Sequence, residues 1–255
     1  MPRVAHSEIR LLVGSRSQEA AVSLPRRLKR FFSDFERTNA RKFPWRSRRT
    51  SAYQMLVAEV LLRQTKAPDV VKVWRLLITT YPTPAALSRA GIHALRGLLK
   101  PLGLGNQRAT ALKEISAAVV SEFQGRIPRS LETLLSIPHM GLYAACALLS
   151  FKYGMSTPIV DSNILRVFGR ITGKDLGKDL RRNQAAWSLA WSILPARRAA
   201  LHNYGLLDFS ALTCKPRAPL CGECPLIRSC RYGLRFARRP GSSSQPPKGR
   251  IAFSV

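Results

Sequence analysis

Four cysteines lie close together between positions 214 and 230. Cys214, Cys221, Cys224 and Cys230 are separated by six, two and five residues. Prolines and a glycine between them favour a compact loop in which four thiolates can converge on one centre. Structural zinc also takes four thiolates, so the spacing alone leaves zinc and an iron-sulfur cluster as alternatives. A closed four-cysteine site has no open position, and we expect it to support the structure rather than to catalyse.

The net charge predicts the class of partner. Against 14 acidic residues stand 42 Lys and Arg, which gives a formal net charge of +28, and a field of this size favours a polyanion. No apolar run approaches the roughly 18 residues of a membrane-spanning helix, and the first 25 residues lack a signal-peptide core. We therefore expect a nucleic-acid partner, no membrane partner and a cytoplasmic, nucleoid-associated protein. Composition alone fits ribosomal proteins and nucleoid packers equally well.

The cysteine count also argues against a secreted disulfide scaffold. Five cysteines, four of them clustered, are typical of a protein from the reducing cytosol. The fifth, Cys146, lies among alanines and leucines that offer no base to form a thiolate. We expect it to be a small core residue.

Hydrophobic periodicity predicts an all-α chain with almost no strand signal. Thr83, Asn106 and Ser130 stand at predicted helix starts, where their side-chain oxygens can accept hydrogen bonds from first-turn amides. Both ends of the chain, 1–23 and 233–255, are predicted to be basic and disordered. The predicted helices cover residues 25–38, 51–65, 67–80, 84–90, 92–100, 106–123, 131–136, 142–153, 162–171, 180–193 and 197–212.

Residues 131–153 form a helix-hairpin-helix signature. A short helix leads through a tight turn, Pro138, His139, Met140 and Gly141, into an apolar helix. Backbone amides at the start of that second helix can hold a DNA phosphate without reading the base sequence. We therefore predict that the four turn residues contact DNA.

Two carboxylates are candidates for chemistry. Asp161 follows Tyr143 by eighteen residues and directly precedes a predicted helix. The positive end of that helix favours an ionised carboxylate, but Asp is also a common N-cap residue, so a capping role and a functional role both stay open. Glu59 has Met55 one helical turn before it and Leu62 one turn after it, a pattern that predicts a partly buried carboxylate.

The hairpin, the helix that starts after Asp161 and the cysteine spacing, in this order, resemble the endonuclease III superfamily of helix-hairpin-helix DNA glycosylases. The resemblance covers roughly residues 25–232. It implies that the cysteines hold a [4Fe-4S] cluster and that Asp161 is essential to base excision. It also implies two helical lobes: an iron-sulfur lobe built from both chain ends, 24–50 and 156–232, and a six-helix barrel over 51–155 that carries the hairpin.

Further segments resemble particular branches of that superfamily. Residues 43–46, Phe-Pro-Trp-Arg, and residues 58–65 resemble the mismatch glycosylases, in which the acid matching Glu59 lies in the base pocket. Strand-cleaving members carry a Lys where this chain has Tyr143. A phenol, with a pKa of about 10, cannot form a Schiff base, so base removal without efficient β-elimination is predicted. Lys152, about two and a half helical turns further on, faces the opposite side.

The resemblance predicts a monomeric, monofunctional glycosylase of base excision repair. It would flip a mismatched thymine or uracil out of double-stranded DNA and leave an abasic site. Residues 204–211, before the first clustered cysteine, look more like the T:G mismatch glycosylases than the adenine glycosylases. Adenine removal opposite 8-oxoguanine is the alternative enzyme, excision of a modified cytosine is a third, and an inactive iron-sulfur DNA-binding protein is the non-enzymatic alternative.

The expected roles follow from this interpretation. Asp161 would stabilise the positive charge that develops on the sugar and position the attacking water. Glu59 would orient the base or that water, and Tyr143 would help to define the pocket. Arg63 and Gln64 would fill the gap that the flipped base leaves.

Two residues at the DNA surface have alternative explanations. Leu104 is a candidate wedge between bases, although it could simply pack its own loop. The family hairpin usually reads Pro-Gly-x-Gly, whereas His139 replaces the first glycine here. A His can adopt a positive φ at some energetic cost, and it either contacts phosphate or is a tolerated turn residue.

Overall fold

The computed structural model describes residues 23–177, 179 and 183–237. Within these residues the chain forms helices and turns without any strand, which confirms the all-α prediction. None of the described helices is both long and apolar enough to cross a membrane. The described helices are α1 (Ser23–Asn39), α2 (Ala52–Leu61), α3 (Ala67–Thr80), α4 (Pro84–Ser88), α5 (Ile92–Leu99), α6 (Gly105–Phe123), α7 (Leu131–Ser136), α8 (Leu142–Phe151), α9 (Ser162–Thr172), α10 (Gln184–Ile193), α11 (Ala199–Leu212) and α12 (Arg231–Ala237).

Two of the three predicted caps are confirmed. The Thr83 hydroxyl accepts a hydrogen bond from the backbone N–H of Ala86 at the start of α4. The Ser130 hydroxyl accepts from the backbone N–H of Thr133 at the start of α7. Each cap satisfies a first-turn amide that has no partner within its helix.

Two predicted helix bounds were wrong because the backbone turns left-handed nearby. The third cap, Asn106, lies inside α6, which begins one residue earlier after Leu104, whose φ is 50°. The helix predicted over 51–65 ends at Leu61, and Gln64 beyond it has a φ of 54°. A right-handed helix cannot continue through such a residue.

The last described helix was not predicted. Helix α12 reaches into the segment 233–255 that composition predicts to be disordered. It begins directly after Cys230, whose sulfur accepts a hydrogen bond from the backbone N–H of Gly233 at 3.4 Å. The guanidinium of Arg170 lies 4.9 Å from the ring centroid of Tyr232. Tertiary contacts of this kind stabilise a helix too short to form alone, and composition does not reveal them.

The internal contacts divide the chain into two compact units. The first contains residues 41–157 with helices α2 to α8, and the second combines residues 23–40 with the described residues after 157. Their interpretation as a six-helix barrel and an iron-sulfur lobe, with the bounds given above, stays a prediction. So does disorder in 1–22 and 238–255, which lie outside the described residues.

The first unit is organised around α8. Eight of the ten residues of this helix are buried, from Leu142 to Ser150, so its apolar sequence serves as a central helix rather than a surface one. Fully buried leucines from the surrounding helices, Leu61, Leu77, Leu95 and Leu112, belong to the same core. This core holds the hairpin, because the turn leads directly into α8.

The second unit depends on close packing between α1 and α11. The ring centroids of Phe32 in α1 and Phe209 in α11 lie 5.6 Å apart. Between them the two backbones approach so closely that a Cβ atom placed on Gly205 would lie 1.8 Å from the carbonyl oxygen of Phe32. Only glycine allows this approach.

We therefore expect Gly205→Ala to destabilise the protein by at least about 3 kcal/mol, because the clash is with backbone that cannot move aside. Thermal unfolding measured by circular dichroism should show a midpoint lower by roughly 6 to 12 °C. Gly97→Ala is the matched control, since Gly97 is also helical but a Cβ there meets nothing within 4 Å. Equal midpoints for the two variants would contradict the close approach.

Acid should destabilise the protein through His202. This imidazole is 1% exposed, and burial lowers its pKa from 6.5 to about 4, although the carbonyl of Lys29 partly offsets the effect by accepting a hydrogen bond. The unfolded chain therefore binds the proton first, and stability falls as the pH drops from about 6.5 towards 4. Urea unfolding at pH 7.5 and pH 5 should differ by roughly 2 kcal/mol from this group. His202→Asn should remove that part of the slope, and replacing the exposed His93 with Gln should not.

Candidate functional site

The end of α2 brings a buried carboxylate next to an arginine. Glu59 is 8% exposed, so the predicted burial is confirmed. Arg63 follows just beyond the helix; its side chain as a whole is exposed, but its guanidinium is partly desolvated. This desolvation lowers the pKa of Arg63, and the negative charge of Glu59 raises it again. The first unit thus places a carboxylate and a guanidinium together at one helix end.

The hairpin turn has the backbone that the sequence predicts. The backbone N–H of Met140 donates to the carbonyl oxygen of Ile137 at 3.1 Å, and His139 between them has a φ of 60°. Gly141 is the N-cap of α8 and supplies no side-chain cap. The first turn of α8 therefore has no side-chain cap from its N-cap residue, which suits a phosphate site.

The side chain and the backbone of His139 are both held by other parts of the first unit. Its Nε2 lies 2.6 Å from the Oε2 of Glu114 in α6. Its carbonyl oxygen accepts a hydrogen bond from Nη2 of Arg63 at 2.7 Å. The imidazole therefore fixes the turn to α6, a role that sequence reasoning did not predict.

Two exposed loops of the first unit carry the other predicted DNA contacts. Leu104 is 43% exposed and follows Gly103, whose φ is 69°. Gln64 is also exposed. Both loops receive hydrogen bonds from one buried side chain, Arg108. Sequence reasoning missed this arginine, because a basic residue in a helix usually faces solvent.

Tyr143, Cys146 and Lys152 lie at different positions along α8 and its C-terminal end. Tyr143 is half-buried in the first turn. Lys152, at the C-cap, donates to the carbonyl oxygen of Thr50. Cys146 is fully buried, as predicted, and burial raises the pKa of its thiol to about 12. Such a thiol does not ionise at neutral pH.

Asp161 caps helix α9 in the second unit. Its Oδ1 accepts a hydrogen bond from the backbone N–H of Ile164 at 2.7 Å, so the capping role is confirmed. Its Oδ2 accepts from Nδ2 of Asn163 at 2.9 Å. Two donors on different oxygens hold the carboxylate in one orientation, which a catalytic group also needs.

A hydrogen-bonded chain continues from this carboxylate to the cysteine loop. Arg166 donates from Nη1 to Oδ1 of Asn163 at 2.8 Å. Its Nη2 donates to the carbonyl oxygens of Ser210 at 2.9 Å and Cys214 at 3.1 Å. The orientation of Asp161 is thereby coupled to the backbone at the first clustered cysteine, a link that the sequence does not reveal.

All four clustered cysteines line a single cavity in the second unit, together with Arg170. Nη1 of Arg170 lies 3.5 Å from the sulfur of Cys214. Burial raises the pKa of Cys224 to about 12, and the negative charges of the three other thiolates raise it as well. A cationic metal centre would offset this opposition to ionisation of the Cys224 thiol.

A sequence model of the HhH-GPD superfamily, described as base excision DNA repair proteins, matches residues 57–189. The match spans the end of α2, the hairpin, Tyr143 and Asp161. The chain belongs to this superfamily.

Curated members of the HhH-GPD superfamily match over most of their length. A thymine/uracil-DNA glycosylase of Methanothermobacter thermautotrophicus is 34% identical over 198 residues, which cover 78% of this chain and 89% of that one. A thymine-DNA glycosylase of Aeropyrum pernix is 36% identical over 192 residues, covering 74% and 86%. An adenine DNA glycosylase of Mycolicibacterium smegmatis is 34% identical over 192 residues, but they cover only 64% of that protein.

Solved structures support the HhH-GPD fold. The structure of a thermostable thymine-DNA glycosylase is 32% identical, with a TM-score of 0.78 over 85% of this chain and 100% of that chain. An endonuclease III–DNA complex is 21% identical, with a TM-score of 0.74 over 84% and 99%. At that identity the second likeness concerns the fold alone.

The cysteines of this HhH-GPD protein fit a four-thiolate centre. They share one cavity, and the guanidinium of Arg170 and the backbone N–H of Gly233 both point at cysteine sulfurs. N–H donors to sulfur are a feature by which proteins tune iron-sulfur centres. Within the described residues, no group of three or more His, Cys, Asp or Glu side chains surrounds a single-ion position.

Proposed function

We propose that this protein is a monofunctional DNA glycosylase that removes mismatched thymine or uracil opposite guanine from double-stranded DNA and leaves an abasic site. The main support for this reaction is the geometry of Asp161, whose carboxylate is held by two hydrogen bonds at a helix N-terminus. The choice of base rests on the thymine/uracil-DNA glycosylases that are 34% to 35% identical to this chain.

In the proposed reaction the target base leaves the stack and enters a pocket. The carboxylate of Asp161 stabilises the positive charge on the sugar as the glycosidic bond breaks, and it positions the water that attacks the same carbon. Glu59 orients the base or the water, and Tyr143 helps to define the pocket. Arg63 and Gln64 occupy the gap in the duplex.

Strand cleavage by the enzyme itself is not part of this reaction. A lyase needs an amine that forms a Schiff base with the sugar, and Tyr143 stands at the position where lyases of the superfamily carry it. The amine of Lys152 is engaged with the carbonyl of Thr50 at the other end of α8. We infer little or no β-elimination.

Iron-sulfur is the proposed centre for the four cysteines. Cys214, Cys221, Cys224 and Cys230 would hold a [4Fe-4S] cluster whose thiolate bonds fasten the loop. The cluster would supply no step of base release. It would hold the loop whose Cys214 carbonyl accepts from Arg166, and Arg166 in turn contacts Asn163 beside Asp161.

A second enzyme remains as a candidate: an adenine glycosylase that acts opposite 8-oxoguanine. The observation in its favour is the 34% identity to a bacterial adenine DNA glycosylase. That identity is the same as for a thymine/uracil enzyme, but the match covers 64% of the adenine enzyme and 89% of the thymine/uracil enzyme.

The test uses the purified protein, expected to act as a monomer, on labelled duplexes containing T:G, U:G, A:G, A:8-oxoguanine or a modified cytosine. Each product is separated on a gel before and after hot alkali. Breaks at T:G and U:G that appear only after alkali are the expected result. Breaks before alkali would contradict the inference from Tyr143. Cleavage of A:8-oxoguanine alone would favour the second candidate, and no cleavage of any duplex would indicate a DNA-binding protein without catalysis.

A further inference from the structure

Two exposed loops of the first unit carry the residues proposed to enter the DNA stack. The wedge loop, residues 102–104, ends at Leu104. The gap loop, residues 63–65, contains Arg63 and Gln64. The loops are about forty residues apart in sequence, and in the proposed function both act at the base pair from which the target base is flipped.

One buried side chain binds both loops. Arg108 in α6 is 4% exposed. Its Nη1 donates to two carbonyl oxygens of the wedge loop, Leu102 at 2.7 Å and Gly103. Its Nη2 donates to the gap loop, at the carbonyl oxygen of Arg63 and the hydroxyl of Thr65. Each arm of the guanidinium thus serves one loop, and the four N–H groups on the two arms all have acceptors.

Both loops have backbones that need such support. Gly103, Leu104 and Gln64 have φ values of 69°, 50° and 54°. Left-handed leucine and glutamine persist only where surrounding contacts hold them there. The carbonyls of Gly103 and Arg63, each directly before a left-handed non-glycine residue, both accept from Arg108.

We infer that Arg108 is a positioning residue that holds the wedge loop and the gap loop in register, so that Leu104 and the gap residues enter the stack at the same base pair. The inference deepens the proposed function and rests on it. Arg108 touches neither the base nor the sugar in this role, because its guanidinium is buried under the loops.

The same network reaches the hairpin. Arg63, whose carbonyl accepts from Arg108, donates its own Nη2 to the carbonyl of His139. His139 in turn contacts Glu114, on the same helix as Arg108. Through Arg108 and Arg63, the surface proposed to hold phosphate and the two loops proposed to enter the stack are connected within one unit.

Only arginine can fulfil this role. Its planar guanidinium presents two pairs of N–H donors in fixed directions, whereas a lysine ammonium presents three donors from one point. Arg108→Lys therefore keeps the buried charge but cannot bind both loops at once. It is the most informative substitution.

The test measures base flipping directly. A duplex with 2-aminopurine beside a T:G mismatch becomes more fluorescent when the neighbouring base leaves the stack. Wild-type protein is expected to increase the signal, and Arg108→Lys is expected to lose most of it. Single-turnover base release should fall on the order of 10²-fold, since a displacement of about 1 Å has that effect on rates. Binding to undamaged duplex should stay within about twofold, because phosphate contacts do not involve this residue.

Lys113→Met is the matched control for stability. Lys113 also lies in α6 and donates to two carbonyl oxygens, those of Ser88 at 3.0 Å and Ala90 at 2.6 Å, but neither belongs to a loop proposed to touch DNA. A merely structural role for Arg108 predicts that both variants lose thermal stability and that neither changes the flipping signal per folded molecule. Loss of the signal in Arg108→Lys alone supports the inference.

Thr65→Val tests the role of Arg108 if Arg108→Lys does not fold. It removes one acceptor from the gap loop and leaves the arginine in place. A reduced flipping signal at unchanged duplex binding supports the inference, and an unchanged signal in whichever variant folds overturns it. If wild-type protein releases no base from any duplex, the proposed function fails, while the 2-aminopurine signal still tests Arg108 separately.

Discussion

Asp161→Asn is expected to abolish base release while DNA binding persists. Asparagine caps helices as well as aspartate does, so its amide oxygen can still accept the hydrogen bond that Ile164 donates, and α9 keeps its start. The negative charge that stabilises the developing cation is lost. Mutational losses of one electrostatic stabiliser are on the order of 10²- to 10³-fold, and we expect at least the upper value in single-turnover assays on a T:G duplex.

Asp175→Asn is the matched control for that experiment. Asp175 also uses its side chain locally, accepting from the backbone N–H of Gly177 at 2.8 Å, but it lies outside the proposed chemistry. It should retain the wild-type rate, and gel-shift affinity for the mismatch should be equal for both variants. Base release by Asp161→Asn at the wild-type rate would show that Asp161 is only a helix cap.

The helices could be predicted because their signals are local. Apolar residues at helical spacing and capping hydroxyls such as those of Thr83 and Ser130 lie within a few residues of the elements they define. The hairpin was predictable for the same reason. His139 stands where the family has a glycine, and it has the positive φ expected at that position. Where the backbone is dictated by distant contacts, as at Gln64 and Leu104, the local signal predicted the wrong helix bound.

The links within the site could not be predicted because they join residues far apart in sequence. Arg166 binds a carbonyl 48 residues away, and Arg108 reaches one 45 residues away. The sequence around a helical arginine does not show whether its guanidinium is buried and hydrogen-bonded or exposed to solvent. The sequence identifies the groups that carry charge or bind metal, whereas the side chains that orient them emerge only from packing.

These links give the cysteine loop its expected influence on catalysis. We expect Cys224→Ser to lose the metal centre, since a serine hydroxyl is a poor substitute for a thiolate ligand. Wild-type protein should contain about four iron atoms and four sulfides per chain and absorb visible light, as a [4Fe-4S] cluster does. The variant should contain far less of both. Because the loop then loosens at the carbonyl of Cys214 that Arg166 binds, base release should fall further than binding to undamaged duplex.

Cys146→Ala is the matched control for the cysteine loop. Its thiol is buried in α8, and Cys146 is not among the residues that line the cavity of the four clustered cysteines, so iron and sulfide contents should equal those of the wild type. One zinc per chain in a colourless wild-type protein would contradict the iron-sulfur proposal while leaving four-cysteine binding intact. Equal metal contents in Cys224→Ser and Cys146→Ala would contradict both. A variant that loses metal yet releases thymine at the wild-type rate would show that the Arg166 chain does not transmit the state of the loop to Asp161.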